Sequence, residues 1–218
     1  FWRAPNPPAP AFVPPAPASA STLPPEFSAH LLPKAAESAH AATLVELPDG
    51  RLAAAWFAGS REGAADVAIW FSTLGRDGWS RPVPIANRES TAGGVFAHIR
   101  KVGNPLLHVE GSWLHLWYVT VGIGGWAGSS ISHSVSTDAG KSWSKPTRLQ
   151  TSPFLNISTL VRNPPVLLAD GGIGLPVYHE FIAKHGEWLR LSPNGKIIDK
   201  VRMAHPVRTL QPTVAVLD

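Results

Sequence analysis

One β-rich run ends in Tyr178, His179 and Glu180, three side chains able to act on a ligand. A tyrosine beside a histidine can stack on a pyranose ring, hydrogen-bond its hydroxyl groups or transfer protons. Alternation along a strand would instead send Tyr178 and Glu180 to one face and His179 to the other, so the three side chains need not meet. Both interpretations stay open at this point.

A glycine-rich segment, residues 122–128, presents a second candidate, Trp126. Its glycines do not follow the dinucleotide-binding spacing and no helix pattern comes after them, so we predict a loop that offers Trp126 as a platform for a sugar ring. The nine histidines show no zinc-binding spacing. We therefore predict no metal site and no cofactor.

These residues must be positioned by a repeated hairpin. Similar β-rich pairs of runs turn at Gly50, Gly111 and Gly171, which are 61 and 60 residues apart, and a further copy starts at Pro212. Short runs joined by glycine turns are typical of β-hairpins. A period near 60 accommodates the four antiparallel strands of one propeller blade.

A second pair of strands follows each hairpin. We expect strands over Val67–Thr73 and near Val83, over Ser129–Val135 and near Thr147, and over Glu187–Leu191 and Ile197–Met203. No segment has a convincing amphipathic helical pattern. The sequence thus predicts an all-β chain with twelve strands from about Ser38 and a thirteenth near Pro212.

Residues 136–143 read Ser-Thr-Asp-Ala-Gly-Lys-Ser-Trp, a complete Asp-box. In such a turn the Asp138 carboxylate accepts backbone N–H groups, Gly140 supplies a positive φ, and Trp143 is buried against the blade. Residues 72–79 and 192–195 look like degenerate copies at matching places. The box is a structural element, so it predicts the fold and not a catalytic site.

From Ser38 to Asp218 the chain resembles the bacterial sialidase-like family of Asp-box, or BNR, repeat proteins, also called predicted neuraminidases. The Asp-box and the segments 38–50, 57–63 and 174–180 carry the resemblance. It implies a six-bladed β-propeller with a glycan pocket near the central axis. Six such blades need more than about 300 residues. Residues 34–218 are therefore expected to form three blades and the start of a fourth, completed by further chain or by a second copy.

The resemblance also implies site residues. Sialidase chemistry uses arginines on the substrate carboxylate, an aspartate acid/base and a tyrosine activated by a glutamate. His40 stands at the first arginine position, and an imidazole lacks the bidentate fork of a guanidinium. Gln211 stands at the glutamate position, and an amide cannot take a proton from the tyrosine. The loop that carries the acid/base spans residues 59–66, and either Glu62 or Asp66 can be that acid/base. Alternatively, Arg61 and Glu62 form a surface ion pair.

Equivalent positions of successive repeats should line the axis. We therefore expect His40 and Gln211 to face one cleft with the Arg61–Asp66 loop, and with the substrate-binding candidates Arg100, Trp126, Tyr178 and His179. Asn104 and Asn163 each precede a proline at matching points of two repeats, which favours backbone capping over ligand contact.

Composition narrows the class of protein further. Ten of the 22 prolines fall in residues 1–33, which predicts a Pro-rich tether ahead of the folded part. The chain has no cysteine, no run near the roughly 18 apolar residues of a membrane span, and a formal charge of +4 from scattered basic residues. Nucleic acid is therefore not an expected partner. The start at Phe1 and the tether suggest a removed signal segment and an extracytoplasmic location.

Three functions remain open. The first is a carbohydrate-active propeller of sialidase type, an exo-acting glycoside hydrolase on acidic sugars. The second is a polysaccharide lyase on uronic-acid glycans, with His40, Tyr178 and His179 as base and acid. The third is a propeller that binds glycans without cleaving them.

Overall fold

The computed structural model describes residues 11–14, 16, 22–152, 154–203 and 208–217. Within them, three antiparallel sheets follow one another along the chain, here named blades 1, 2 and 3. Blade 1 contains β1 (Ser38–Glu46), β2 (Leu52–Gly59), β3 (Ala68–Gly75), β4 (Gly78–Trp79) and β5 (Val83–Asn87). Blade 2 contains β6 (Lys101–Glu110), β7 (Trp113–Val121), β8 (Ser129–Ser136) and β9 (Thr147–Arg148). Blade 3 contains β10 (Leu160–Val161), β11 (Val166–Leu167), β12 (Ile173–His179), β13 (His185–Leu191) and β14 (Ile197–Arg202).

Each blade is an antiparallel meander, except that β4 and β5 both pair with β3 and that β10 and β11 both pair with β12. The predicted all-β propeller class is confirmed. The hairpin turns lie at Gly50, Gly111 and Gly171, each with a positive φ that glycine adopts without strain. The described residues form fourteen strands and not the predicted twelve, because the outer strand of blade 1 and the inner strand of blade 3 are each split in two. The prediction of a thirteenth strand near Pro212 is wrong, because residues 208–217 form no strand.

Apolar side chains fill the spaces between blades. Strand alternation presents one set of side chains to each neighbouring sheet, and the buried positions follow that pattern. Between blades 1 and 2 the buried residues include Ala53, Ala55, Phe57, Ile69, Phe71, Val102, Leu107, Leu114, Leu116 and Tyr118. Between blades 2 and 3 they include Leu106, Trp117, Val119, Ile131, Leu175, Val177 and Leu189. Burial of these two interfaces holds the three sheets in one stack.

The segment before β1 covers the outer face of blade 1. Leu32, Ala35 and Ala36 pack on Ala54, Trp56 and Ala58, the side chains of β2 that point away from blade 2. Residues 22–33 contain no helix or strand. Of the tether predicted over residues 1–33, residues 1–10, 15 and 17–21 lie outside the described residues.

A short stretch near the start of the chain lies against blade 3. Phe12 forms a bridge with Leu168, and the Ala169 N–H donates to the Ala11 carbonyl at 2.9 Å. The Phe12 ring meets Trp188 edge to face, with 5.9 Å between the ring centroids. This stretch therefore adds an extended segment along the inner strand of blade 3.

The absence of helix is a second wrong prediction, because α1 (Arg88–Val95) connects blades 1 and 2. Asn87 caps it: its Oδ1 accepts from the Ser90 N–H at 2.8 Å, while Ser90 Oγ accepts from the Asn87 N–H at 3.1 Å. Thr91, fully buried, anchors the helix through a 3.0 Å hydrogen bond with the Tyr118 hydroxyl. With two glycines in eight residues, α1 has too weak a helical pattern to be recognised in the sequence.

The Asp-box closes the outer hairpin of blade 2 as predicted. The Ser142 N–H and Ser136 hydroxyl donate to Asp138 Oδ1 at 2.9 and 2.7 Å. The Ser142 hydroxyl also donates to Asp138 Oδ2. This hydrogen bond above all, together with the other two, lowers the pKa of Asp138 to about 2. Trp143 packs edge to face on Phe71 but stays half-buried, so its predicted full burial is wrong.

We predict that Asp138→Ala destabilises the protein in a pH-dependent way. Because folding lowers this pKa from 3.8 to about 2, the ionised carboxylate contributes stability above about pH 4, and the contribution is lost as the pH falls through 2. The difference in urea midpoint between variant and wild type should shrink accordingly on acidification. Asp77→Ala, in the corresponding turn of blade 1, is the control, and an equal, pH-independent effect at both positions would contradict the prediction.

We also predict that Gly140→Ala is more destabilising than Gly78→Ala. Both glycines have a positive φ, +88° and +100°, so alanine strains the backbone at each. A Cβ at Gly140 would lie 2.4 Å from the Phe71 ring, whereas one at Gly78 meets nothing within 4 Å. The free energy of unfolding should differ between the variants by about 1–3 kcal/mol, the usual cost of overpacking; equal losses would show that the backbone effect dominates.

Candidate functional site

One edge of the three blades gathers most of the predicted site residues. The loops from β2 to β3, from β7 to β8 and from β12 to β13 lie at this edge, and each inner strand begins there, because successive strands run in opposite directions. The hairpin turns and the Asp-box lie at the opposite edge. We call the first edge the axial face.

An aromatic cluster occupies the blade 1 side of the axial face. His40 stacks on Phe57 with ring centroids 5.4 Å apart, and Phe57 lies 6.5 Å from Trp126. Lys101 Nζ lies 5.6 Å from the Trp126 ring, a cation–π contact. Gly103 makes this packing possible, because a Cβ there would come within 2.8 Å of the Trp126 ring. The cluster therefore joins His40 and Trp126 through two strands of different blades.

The Tyr178 hydroxyl forms the second half of the site. Asn104 Nδ2 donates to it at 3.1 Å, and the Gln211 side chain also hydrogen-bonds it. Burial raises the pKa of Tyr178 to about 12, and the nearby Glu180 carboxylate adds to the effect, while the two amides and Arg162 act against it. Tyr178 is therefore a neutral phenol near pH 7, fixed by polar groups from three different stretches of chain.

Irregularities in the inner strands create this arrangement. The register of β1 with β2 shifts between His40 and Thr43, and that of β6 with β7 shifts between Gly103 and Leu106. At the matching points Ala41, Asn104 and Gln211 have φ values of +55°, +42° and +52°. Left-handed backbone at non-glycine residues is uncommon and recurs at functional sites. Each bulge turns the inner strand where it reaches the axial face.

The two asparagines that precede prolines have different roles. Asn163 Nδ2 donates to the carbonyls of Gln211 and Pro212 at 2.7 and 2.9 Å, the backbone capping that the sequence favoured. Asn104 instead donates to Tyr178, so it belongs to the site. The recurrence of Asn before Pro therefore does not imply one shared function.

The acid/base candidates differ in their surroundings. The Ser60 N–H and hydroxyl each donate to Asp66 at 2.9 Å, which lowers the pKa of Asp66 and ties its carboxylate into the loop. An ionised, bonded carboxylate is poorly suited to donate a proton. Glu62 and Arg61 are exposed on the same loop, and they form no ion pair within the described residues. Of the two carboxylates, Glu62 is the one available to a ligand.

Two predicted binding residues do not join the Tyr178 group. Arg100 donates to the Gly124 carbonyl at 3.3 Å and supports the loop that carries Trp126. His179 donates to the Phe181 carbonyl at 2.8 Å and pairs across the sheet with His185. Strand alternation sends Tyr178 and His179 to opposite faces of blade 3, as the sequence suggested.

Arg162, which sequence analysis missed, lies at the centre of the site. Its guanidinium donates to the Ala42 carbonyl of blade 1 at 3.4 Å and lies close enough to Tyr178 to affect the pKa of its phenol. Alignment of Arg162-Asn163-Pro164 with Gly103-Asn104-Pro105 would have placed it in the inner strand.

A cavity of about 380 Å³ opens on the blade 1 side, lined among others by His40, Ala42 and Trp56.

This fold and repeat pattern define a class of protein. Residues 50–218 match the family described as BNR repeat-like domain, so the chain belongs to that family. No curated protein matches the sequence. The predicted resemblance to sialidase-like BNR proteins is thereby confirmed.

Solved structures confirm the propeller. The chain is similar to Zg3597, a family 117 glycoside hydrolase from Zobellia galactanivorans (TM-score 0.58, 15% identity), covering 77% of this chain and 58% of that one. It is similar to the NanB sialidase of Streptococcus pneumoniae (0.60, 11%), covering 79% and 45%. It is also similar to Trypanosoma rangeli sialidase in complex with sialic acid (0.55, 14%), covering 76% and 30%. The chain thus spans less than two thirds of each, and at these identities the likeness shows the fold alone.

We predict energetic coupling between Asn104 and Tyr178. In a double-mutant cycle with Asn104→Ala and Tyr178→Phe, the second substitution should cost less once the first has removed the donor. The coupling energy should be about 0.5–1.5 kcal/mol, the usual net value of one hydrogen bond, measured by denaturant unfolding. Pairing Tyr178→Phe with Asn194→Ala, in an exposed turn of blade 3, is the control; additivity in both cycles would contradict the assigned contact.

Proposed function

We propose that this chain is the N-terminal part of a carbohydrate-active propeller whose axial face binds an acidic sugar, as an exo-acting glycoside hydrolase of sialidase type. The observation that carries the proposal is the position of Arg162 between blades 1 and 3. Of the five N–H donors of a guanidinium, a single one is bonded within the described residues, to Ala42. The remaining donors form the planar fork that holds a carboxylate bidentately.

The surroundings of Arg162 suit a sugar. Trp126, half-buried beside the buried Phe57, offers apolar surface next to Lys101 and His40, and the Asn104 and Gln211 amides offer hydrogen bonds to hydroxyl groups. A site with aromatic, amide and cationic groups together recognises a polar ring that carries negative charge. The structurally similar proteins named as sialidases and as a glycoside hydrolase agree with this ligand class.

The roles of the individual residues follow from their environment. Glu62, exposed on its loop, is the acid/base candidate, while Arg162, bonded to Ala42 of blade 1, holds the carboxylate. Within the described residues no carboxylate hydrogen-bonds the Tyr178 hydroxyl; Asn104 donates to it, and a pKa near 12 keeps the phenol protonated. We therefore propose that Tyr178, buried beneath the site, holds the Asn104 and Gln211 amides in place, with the nucleophile and its base supplied by blades beyond residue 218.

Three products distinguish the candidate reactions in the full-length protein. Free sialic acid released from a sialoside supports the hydrolase. An unsaturated uronate, detected by its ultraviolet absorbance, supports the lyase, in which His40, His179 and Tyr178 would move protons. Binding of acidic sugars without either product supports a glycan-binding propeller.

We predict that Arg162→Lys weakens binding of an acidic sugar although the charge is kept. Loss of one charge-assisted hydrogen bond costs about 1.5–3 kcal/mol, or roughly 10- to 100-fold in affinity. Calorimetric titration of the full-length protein with sialic acid and with glucuronic acid measures the loss. A neutral sugar of the same ring type should show no comparable change.

Arg76→Lys is the matched control, since Arg76 is exposed in the β3–β4 turn at the opposite edge. Its affinity for both acids should equal that of the wild type. Unchanged binding in Arg162→Lys would remove the carboxylate-binding role from this residue and the acidic-sugar proposal with it.

The cellular location stays a prediction. An extracytoplasmic address would give the site access to glycans. In the part of the chain that the structure describes, no helix is long and apolar enough to cross a membrane.

A further inference from the structure

Two histidines and a glutamate converge on one face of blade 3, away from Tyr178. His179 and His185 are direct partners across β12 and β13, and Glu187 follows His185 on the same face. The rings stack with centroids 4.8 Å apart, and His185 Nε2 lies 3.5 Å from Glu187 Oε1. One ligand atom from each residue lies within 4.8 Å of the other two. The sequence predicted no metal site, because cross-strand pairing, and not a short spacing, brings the two rings together.

The hydrogen bonds of both rings leave one nitrogen of each free to bind a metal ion. His179 Nε2 lies 2.8 Å from the Phe181 carbonyl and His185 Nδ1 lies 3.1 Å from the Ala183 carbonyl. A carbonyl only accepts, so each of these nitrogens carries the proton, and the lone pairs are on His179 Nδ1 and His185 Nε2. Backbone carbonyls commonly orient metal-binding histidines in this way.

Glu187 is held in place as a third ligand. Its side chain is 11% exposed and Lys200 Nζ lies 3.1 Å from Oε2, an ion pair without hydrogen-bond alignment. Lys200 also donates to Thr159 Oγ1 at 3.2 Å, which fixes the ammonium on the far side of the carboxylate. Oε1 therefore remains directed at His185.

We propose that His179, His185 and Glu187 form a binding site for a divalent cation of the zinc class. Two imidazoles and one carboxylate are a ligand set that suits zinc, with a fourth position open for water or a ligand. Bonds of about 2.0–2.2 Å bring ligand atoms closer together than 4.8 Å, so the two partly exposed rings must turn toward Glu187. The exposed loop 181–184 beside them provides the entry path.

The site is independent of the proposed sugar site. Its three residues share the face of blade 3 on which Val177 and Leu189 pack toward blade 2, and both blades lie within the described chain. Arg162 and Tyr178 contribute no ligand. Failure of sugar binding would therefore leave the metal site untouched, and the reverse also holds.

Titration of zinc into untagged, chelator-treated full-length protein tests the proposal. We expect one ion per site with a dissociation constant near or below about 1 µM, and a rise in thermal midpoint with zinc. His179→Ala and His185→Ala should each weaken binding at least about tenfold. Because the chain has no cysteine, no thiolate competes for the metal ion.

His98→Ala is the matched control, since this exposed histidine lies in the loop before blade 2. It should bind zinc as the wild type does. Each variant is first compared with the wild type by metal-free thermal unfolding, and if His185→Ala does not fold, the half-exposed His179 provides the test. Absence of stoichiometric zinc binding in the wild type, or unchanged affinity in a folded His179→Ala, would overturn the proposal.

Discussion

The second strand of each sheet is buried on both faces, so each sheet needs a neighbour on each side. In β2 every residue from Ala53 to Gly59 is buried, which an isolated antiparallel sheet facing water could not tolerate. Blade 2 meets the requirement by packing between blades 1 and 3. Blade 1 uses the residues before β1 on its outer face, and blade 3 receives Phe12 against Trp188. Stacking of sheets is thus the constraint that fixes where every strand end, and so every site residue, must lie.

The site depends on the interruption of the inner strands. A regular strand would keep alternating side chains between the two neighbouring blades, leaving few directed along the edge. The bulges at Ala41 and Asn104, and the left-handed backbone at Gln211, break this alternation. Stability and function are therefore separated within a single strand: the regular part packs the core, and the irregular end presents polar groups.

Most of the fold could be predicted from local signals. Glycine turns, β-rich runs and the Asp-box are short patterns whose physical meaning does not depend on distant contacts, and the strands they predicted in blades 1 to 3 are present. The helix α1 was missed because its stability comes from the Asn87 cap and the buried Thr91, not from an amphipathic pattern. The strand splits in blades 1 and 3 likewise depend on register, which a single sequence does not show.

The candidate site was less predictable than the fold. Equivalence between repeats suggested that Tyr178 and Gln211 approach one another, and the two side chains do meet, Tyr178 near the end of β12 and Gln211 in the stretch after blade 3. Arg162 was overlooked because arginine in a β-rich run has no distinguishing neighbour, and only the aligned Asn-Pro pairs reveal its position. The bonding of Asp66 to Ser60 could not be foreseen either, because it depends on the path of a loop.

The pairing of Phe12 with Leu168 has a consequence for how the chain folds. It joins residues that are separated by two complete blades in sequence, so closing that loop costs more entropy than forming any hairpin. Contacts between residues so far apart in the sequence form late, after the local meanders have assembled and Leu168 is positioned beside β12. Phe12 is synthesised before blade 3, yet it is in this way among the last residues to acquire its native neighbours, and it can dock only once blade 3 is complete.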